Sequence, residues 1–179
     1  MSTATEVSSM SEPLPLVAAK EDFPAFYRRQ YPRAVGLAYA LTGKPHLAEE
    51  VAQEAFIAAY RGWERIARYD SPEAWLRRVV VNRSTSVLRR GLSEIRAVPR
   101  LRSALEHIPE LEPGASDVWD EVRALPRRQA QAVALFYLED LSLEQIAVVL
   151  ECSPGTVKAH LRRGRERLGR KLHAWKEEA

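Results

Sequence analysis

The stretch from Ser142 to Lys171 constrains this chain more tightly than any other. Ser142-Leu-Glu-Gln145 is a capping box, in which the Ser and Gln side chains each satisfy an orphan backbone N–H at a helix start. It opens a short helix through Ile146, Ala147 and Leu150, and Glu151-Cys152 then turns the chain. Ser153-Pro154 caps a second helix, with Val157, Leu161, Leu168 and Leu172 on one side and basic residues over the rest. A short capped helix, a tight turn and a basic second helix form a helix-turn-helix, whose second helix suits the major groove of a duplex.

The charge map supports a polyanionic partner. Net charge is only +3, but Leu76 to Arg100 holds seven arginines and one acid, and Ser153 to Lys171 seven cations against Glu166. Between them Glu106 to Glu121 carries six acids and no Lys or Arg. Two basic blocks parted by an acidic one indicate two anion-binding surfaces on separate modules. The bland alternative is a pair of solvated helix faces.

Helical periodicity fills most of the rest of the 179-residue chain. Residues 1–19, rich in Ser, Thr, Glu and Pro, read as a disordered tail. Phe23, Tyr27, Ala34, Leu37, Ala38 and Leu41 mark a first helix that ends at Gly43, with Pro32 expected to kink or divide it. A second runs from about Pro45 to Arg61, turning Ala48, Ala52, Phe56, Ala59 and Trp63 inward. A loop from Glu64 to Asp70 leads to a third, opened by Ser71-Pro72 and carrying Trp75, Leu76, Val79, Val80 and Val87 on its apolar side. Gly91 to Ala115, with three prolines, reads as a linker. Asp117 to Leu125 and Pro126 to Glu139 are two further helices, the latter with Ala130, Val133, Ala134 and Tyr137 inward. The expected fold is all-α: two small helical domains joined by a flexible linker, with boundaries at 20–90, 91–116 and 117–175.

Candidate contacts follow from spacing. On the recognition helix Ser153, Thr156, Ala159, His160 and Arg163 face base edges, while Lys158, Arg162, Arg165 and Arg167 suit phosphates. On the third helix Arg78, Asn82, Ser86 and Arg89 form one polar stripe. Arg68 and Tyr69 in the preceding loop offer a cation and a ring on which an unpaired base can stack. An enzyme reading fails on inventory. The four histidines are scattered without metal-ligand spacing, no glycine-rich phosphate loop is present, and Glu50 and Glu54 have no evident partners on another helix. No metal or cofactor is expected. One cysteine, no secretory signal and no apolar run long enough for a bilayer predict a reduced, cytoplasmic chain without membrane insertion.

These residues resemble a known family. Ala48-Glu-Glu-Val-Ala-Gln-Glu-Ala-Phe56, Ala74-Trp-Leu-Arg-Arg-Val79, Asn82-Arg83 and Leu88-Arg-Arg90 are similar to region 2 of the extracytoplasmic-function (ECF) sigma factors of bacterial RNA polymerase. Leu125-Pro-Arg-Arg-Gln129, Tyr137-Leu-Glu-Asp-Leu-Ser142, Gln145-Ile-Ala147 and Gly155-Thr-Val-Lys158 resemble region 4. The resemblance implies a factor that performs no catalysis itself. Glu50, Gln53 and Glu54 would meet the clamp helices of core polymerase. Arg68, Tyr69, Arg78, Asn82, Arg83, Ser86 and Arg89 would melt the −10 element and hold a flipped base, with Asn82 and either Arg68 or Tyr69 at that base. Ser153, Thr156, Lys158, Ala159, His160, Arg162 and Arg163 would read the −35 duplex, and the outer surface of region 4 would meet the β-flap. The acidic linker would pass near the active-site cleft, and an anti-sigma factor is a further partner the family suggests.

Four positions depart from the family pattern: Glu50 where Asp is common, Ser86 where Asp is frequent, His160 where Arg is frequent, and Gly164 where Ala is frequent. Gly164 costs about 1 kcal/mol of helix propensity unless a close backbone approach offsets it. Two other readings remain. One is a stand-alone helix-turn-helix regulator, because Thr156-Val-Lys-Ala-His-Leu161 also looks like the recognition helix of response-regulator output domains; the other is a helical adaptor with basic faces.

Overall fold

The computed structural model describes residues 21–97 and 115–178, and among them every regular element is a helix. The first unit comprises α1 (Phe23–Thr42), α2 (Pro45–Arg61), α3 (Trp63–Ile66) and α4 (Pro72–Ala97). The second comprises α5 (Ala115–Ala124), α6 (Arg127–Tyr137), α7 (Leu143–Leu150) and α8 (Pro154–Glu178). The segment expected as an acidic linker falls largely outside the described residues, although α4 continues to Ala97, past the expected start of that linker.

In the first unit α1, α2 and α4 pack as a three-helix bundle. Asp22 caps α1 by accepting from Ala25 N, and Gly43 ends it in the left-handed region at φ 69°. Pro32 does not divide α1. Its side chain is exposed, so water can reach the carbonyl that lost its donor, while Phe26 and Gln30 before it and Ala34 and Leu37 after it anchor the helix in the core. The buried stripe runs through Phe26, Gln30, Ala34, Leu37 and Leu41 rather than Tyr27, which is 38% exposed. In α2 the small inward residues Ala48, Ala52, Ala55 and Ala59 let its neighbours approach closely around Val51 and Phe56. Ser71 accepts from Ala74 N at the head of α4, which buries Leu76, Val80, Val81 and Val87. The triplet Val79-Val80-Val81 is helical despite its strand propensity. The stretch expected as a loop begins with the one-turn α3, pinned by fully buried Ile66.

In the second unit α6 is the hub, packed by α5, α7, α8 and also α1. It is buried nearly all round, from Gln129 to Leu135. Tyr137, expected inward, is instead 57% exposed: it is the last residue of the helix, at the surface of the unit. The capping box at Ser142 forms completely, Glu151 ends α7 at φ 54°, and Ser153 accepts from Thr156 N to start α8. Gly164 is buried, and a Cβ there would lie 3.0 Å from Val133 Cγ2. The close approach that offsets its poor helix propensity is therefore the packing of α8 on α6.

Candidate nucleic-acid interface

The α7–turn–α8 pair carries the candidate duplex-reading residues. Ser153, Thr156, Lys158, Arg162 and Arg163 are exposed, while Ala159 and His160 are half-buried beside them. Ser153 and Thr156 also share a hydroxyl–hydroxyl bond of 2.9 Å, which fixes the geometry of the helix start. Arg162 pairs with Glu166 one turn on, at the surface. Such a pair is weak and can be exchanged for a phosphate at little cost. Arg165, expected on phosphates, bonds the Tyr137 hydroxyl at 2.8 Å and lies over the Phe136 and Tyr137 rings. The aromatic end of α6 thus holds this cation. His160 has a buried Nδ1 with no protein partner, and burial first, then the Arg163 and Arg128 charges, hold its imidazole below its ordinary value. Both causes favour the neutral form of the ring.

On α4, Asn82 and Arg89 are exposed and Ser86 is half-buried, its hydroxyl donating to the Asn82 carbonyl. Arg68 and Tyr69 stand exposed just beyond α3. Asn82, Ser86 and Arg89 thus keep the spacing expected of one stripe, but the other two candidates on this helix are engaged elsewhere. Arg78 bonds Glu151 and the Val148 carbonyl of α7, and Arg83 pairs with Glu54 on α2. The second contact also ties up Glu54, leaving Glu50 and Gln53 as the exposed polar members of the α2 candidate face.

That face extends further than its polar residues suggested. Ile57 is 50% and Tyr60 69% exposed, and both continue the line from Glu50 and Gln53 along α2. They were detectable in principle: both are apolar, yet both fall out of register with the inward set Ala48, Ala52, Phe56 and Ala59. Tyr60 stands 5.1 Å from Phe23 in an edge-to-face arrangement, so its ring is supported rather than loose. No group of His, Cys, Asp or Glu able to hold a metal occurs among the described residues. No described helix is long and apolar enough to cross a membrane.

Two family descriptions match this architecture: Sigma-70 region 2 over residues 26–92 and Sigma-70, region 4 over residues 116–168. These define a bacterial sigma factor of the two-region kind, the class of protein that works with RNA polymerase in transcription initiation. The RNA polymerase sigma-E factor of Streptomyces coelicolor is 30% identical over 154 residues, covering 86% of this chain and 87% of the relative. The ECF sigma-E factor of Haemophilus influenzae is 33% identical over 138 residues, covering 69% and 73%. The ECF sigma factor SigE of Mycolicibacterium smegmatis is 30% identical over 162 residues, and the chain spans 62% of its length. In fold, the sigma factor RpoE of Bartonella quintana, solved with the anti-sigma factor NepR, superposes with a TM-score of 0.72 at 23% identity, over 85% of this chain and 97% of that one. The chain belongs to the ECF RNA polymerase sigma factors.

Proposed function

We propose that this chain binds core RNA polymerase through the exposed face of α2 and directs it to promoters by reading two DNA elements with two units. Glu50, Gln53, Ile57 and Tyr60 would contact the clamp helices, the apolar pair providing burial and the polar pair orientation. The α8 helix would read the −35 duplex, with Arg163 at a base edge and Lys158 and Arg162 on phosphates. Asn82 and Arg89, with Arg68 or Tyr69, would hold the exposed −10 strand. Unstacking a base costs a few kcal/mol, which a stacking ring and an amide on a preformed helix can repay. The outer face of the second unit, around Tyr137 and Leu138, is the surface offered to the β-flap.

The factor contributes recognition alone, and nucleotide addition belongs to the polymerase, in the bacterial cytoplasm. By analogy with the Bartonella quintana protein, an anti-sigma factor is a proposed partner. One observation carries this reading: a fully capped helix-turn-helix and a basic helix with exposed Asn82 and Arg89 occur in one chain of sigma-factor sequence. Run-off transcription with purified core polymerase on fragments of the source genome tests it. Discrete transcripts that depend on the chain are expected; a chain that supports none refutes the assignment.

A further inference from the structure

A cavity of about 290 Å³ lies where α1 and α4 of the first unit meet α5 and α6 of the second. Leu41, Leu88 and Leu125 give it an aliphatic wall, and no aromatic ring lines it among the described residues. Arg89, Arg123 and Arg127 supply its charge, with no acidic residue among the described lining. Arg123 is already held by Asp120 and by the Ala40 carbonyl. Arg89 and Arg127 are exposed, and neither has a carboxylate partner among the described residues.

Two further features aim this cavity at an anion. Ser84 is 1% exposed, and its hydroxyl, on the cavity lining, has no hydrogen-bond partner. The neighbouring Thr85 and Ser86 hydroxyls each donate to a carbonyl one turn back, at 3.1 Å, so Ser84 alone of the three keeps an unused donor. An unmet buried hydroxyl destabilises a fold, and a bound oxygen atom would remove that penalty. Arg127, also on the lining, is the first residue of α6, and Pro126 at the N-cap gives no side-chain bond. The positive end of that helix is thus left open beside the cavity.

We infer that this cavity is a binding site for a small amphiphilic carboxylate, whose head accepts from Ser84 and pairs with Arg127 and Arg89 while its chain lies along the three leucines. Size, charge and wall each restrict the class. A volume of about 290 Å³ holds about ten non-hydrogen atoms at roughly 30 Å³ each. Arginines without acids select an anion, and the guanidinium fork matches a carboxylate. The leucine wall rewards buried methylenes, which inorganic phosphate lacks. Octanoate combines that size, charge and chain. The site stands apart from the function proposed above, sharing only Arg89 with the face assigned to the −10 strand.

Isothermal titration calorimetry of the full chain with sodium octanoate tests this, alongside thermal unfolding. A single saturable site per chain is expected, with affinity falling about fourfold for each methylene removed, so that butyrate binds about two-hundredfold more weakly. Octylammonium, with the same chain and the opposite charge, should not bind, and inorganic phosphate should not displace octanoate. Arg127→Gln and Ser84→Ala should each weaken octanoate about tenfold. Ser84→Ala should do so while the unfolding midpoint of the free chain stays level or rises, because it deletes an unpartnered hydroxyl; a purely structural Ser84 would lower the midpoint and spare the affinity. Arg127→Gln, at an exposed position, carries the same test without touching the core. Absence of saturable binding, equal binding of octylammonium, displacement by phosphate, or unchanged affinity in either variant would each overturn the site. No polymerase or DNA enters these measurements, so a failed run-off assay would sink the function and leave the site standing.

Discussion

Gly164 is the position where a single methyl group tests how the recognition helix is held. An ideal Cβ there would lie 3.0 Å from Val133 Cγ2, 3.6 Å from Leu125 Cδ1 and 3.7 Å from Gln129 Cβ. Carbon pairs prefer about 3.5–4.0 Å, so even alanine must part α8 from α6 by roughly half an ångström. Val133 is 2% exposed and β-branched, and it has no free rotamer into which to retreat. Overpacking of this kind costs about 1–3 kcal/mol, against which alanine regains about 1 kcal/mol of helix propensity and valine only a few tenths. Gly164→Ala should therefore lose about 0–2 kcal/mol and Gly164→Val at least about 1–3 kcal/mol. Urea denaturation followed at 222 nm reads both. A double-mutant cycle of Gly164→Ala with Val133→Ala should show favourable coupling of about 0.5 kcal/mol or more, because the second change removes the obstructing methyl groups. A Gly164→Val variant as stable as wild type, or a cycle without coupling, would refute the close-packing account.

Other consequences are equally direct. Because His160 titrates below its ordinary value in the fold, the unfolded chain takes up this proton first as pH falls. Its contribution to stability is thus intact above about 6.5 and lost as pH drops through the lowered folded value; in a pH series of denaturation curves His160→Asn should flatten that part. Ser142→Ala removes the hydroxyl that accepts from Gln145 N and should cost about 1 kcal/mol in the same assay. Asn82→Ala should reduce promoter opening, read by permanganate footprinting, roughly threefold to tenfold while core binding changes little. Arg163→Ala should lower discrimination among upstream elements by about 1–3 kcal/mol, whereas Lys158→Ala should weaken binding to every duplex and reduce the salt slope by about one unit; gel shifts across salt concentrations separate the two.

The parts of this fold governed by local chemistry were legible in the sequence. The turn between α7 and α8 follows from caps at Ser142 and Ser153, each a bond between residues three apart. Gly164 stood out as a cost needing a close neighbour, though the neighbour could not be named. Phase was harder where apolar residues crowd. In α1, Phe23, Phe26, Tyr27 and Tyr31 support two registers, and only tertiary contact selects Phe26 as the fully buried one. In α6 the buried Gln129 and Gln131 hide a helix whose central turns are enclosed nearly all round, because glutamine does not register as core. Contacts between the units were invisible. Spacing arguments treat one helix at a time, so Arg77, Arg78 and Arg83 read as open cations, although each has a carboxylate partner on another segment. Asn82, Ser86 and Arg89 keep the expected periodicity on α4, while Arg78 is held by Glu151 and the Val148 carbonyl and Arg83 by Glu54 in this structure.

The central claim is that selective promoter recognition belongs to this chain only in partnership with core polymerase. The most direct measurement is the affinity for one chain-dependent promoter fragment, against a scrambled fragment, with and without core enzyme. Tight, sequence-selective binding only in the presence of core is predicted. Equally tight and selective binding by the chain alone would contradict it and mark a stand-alone regulator instead.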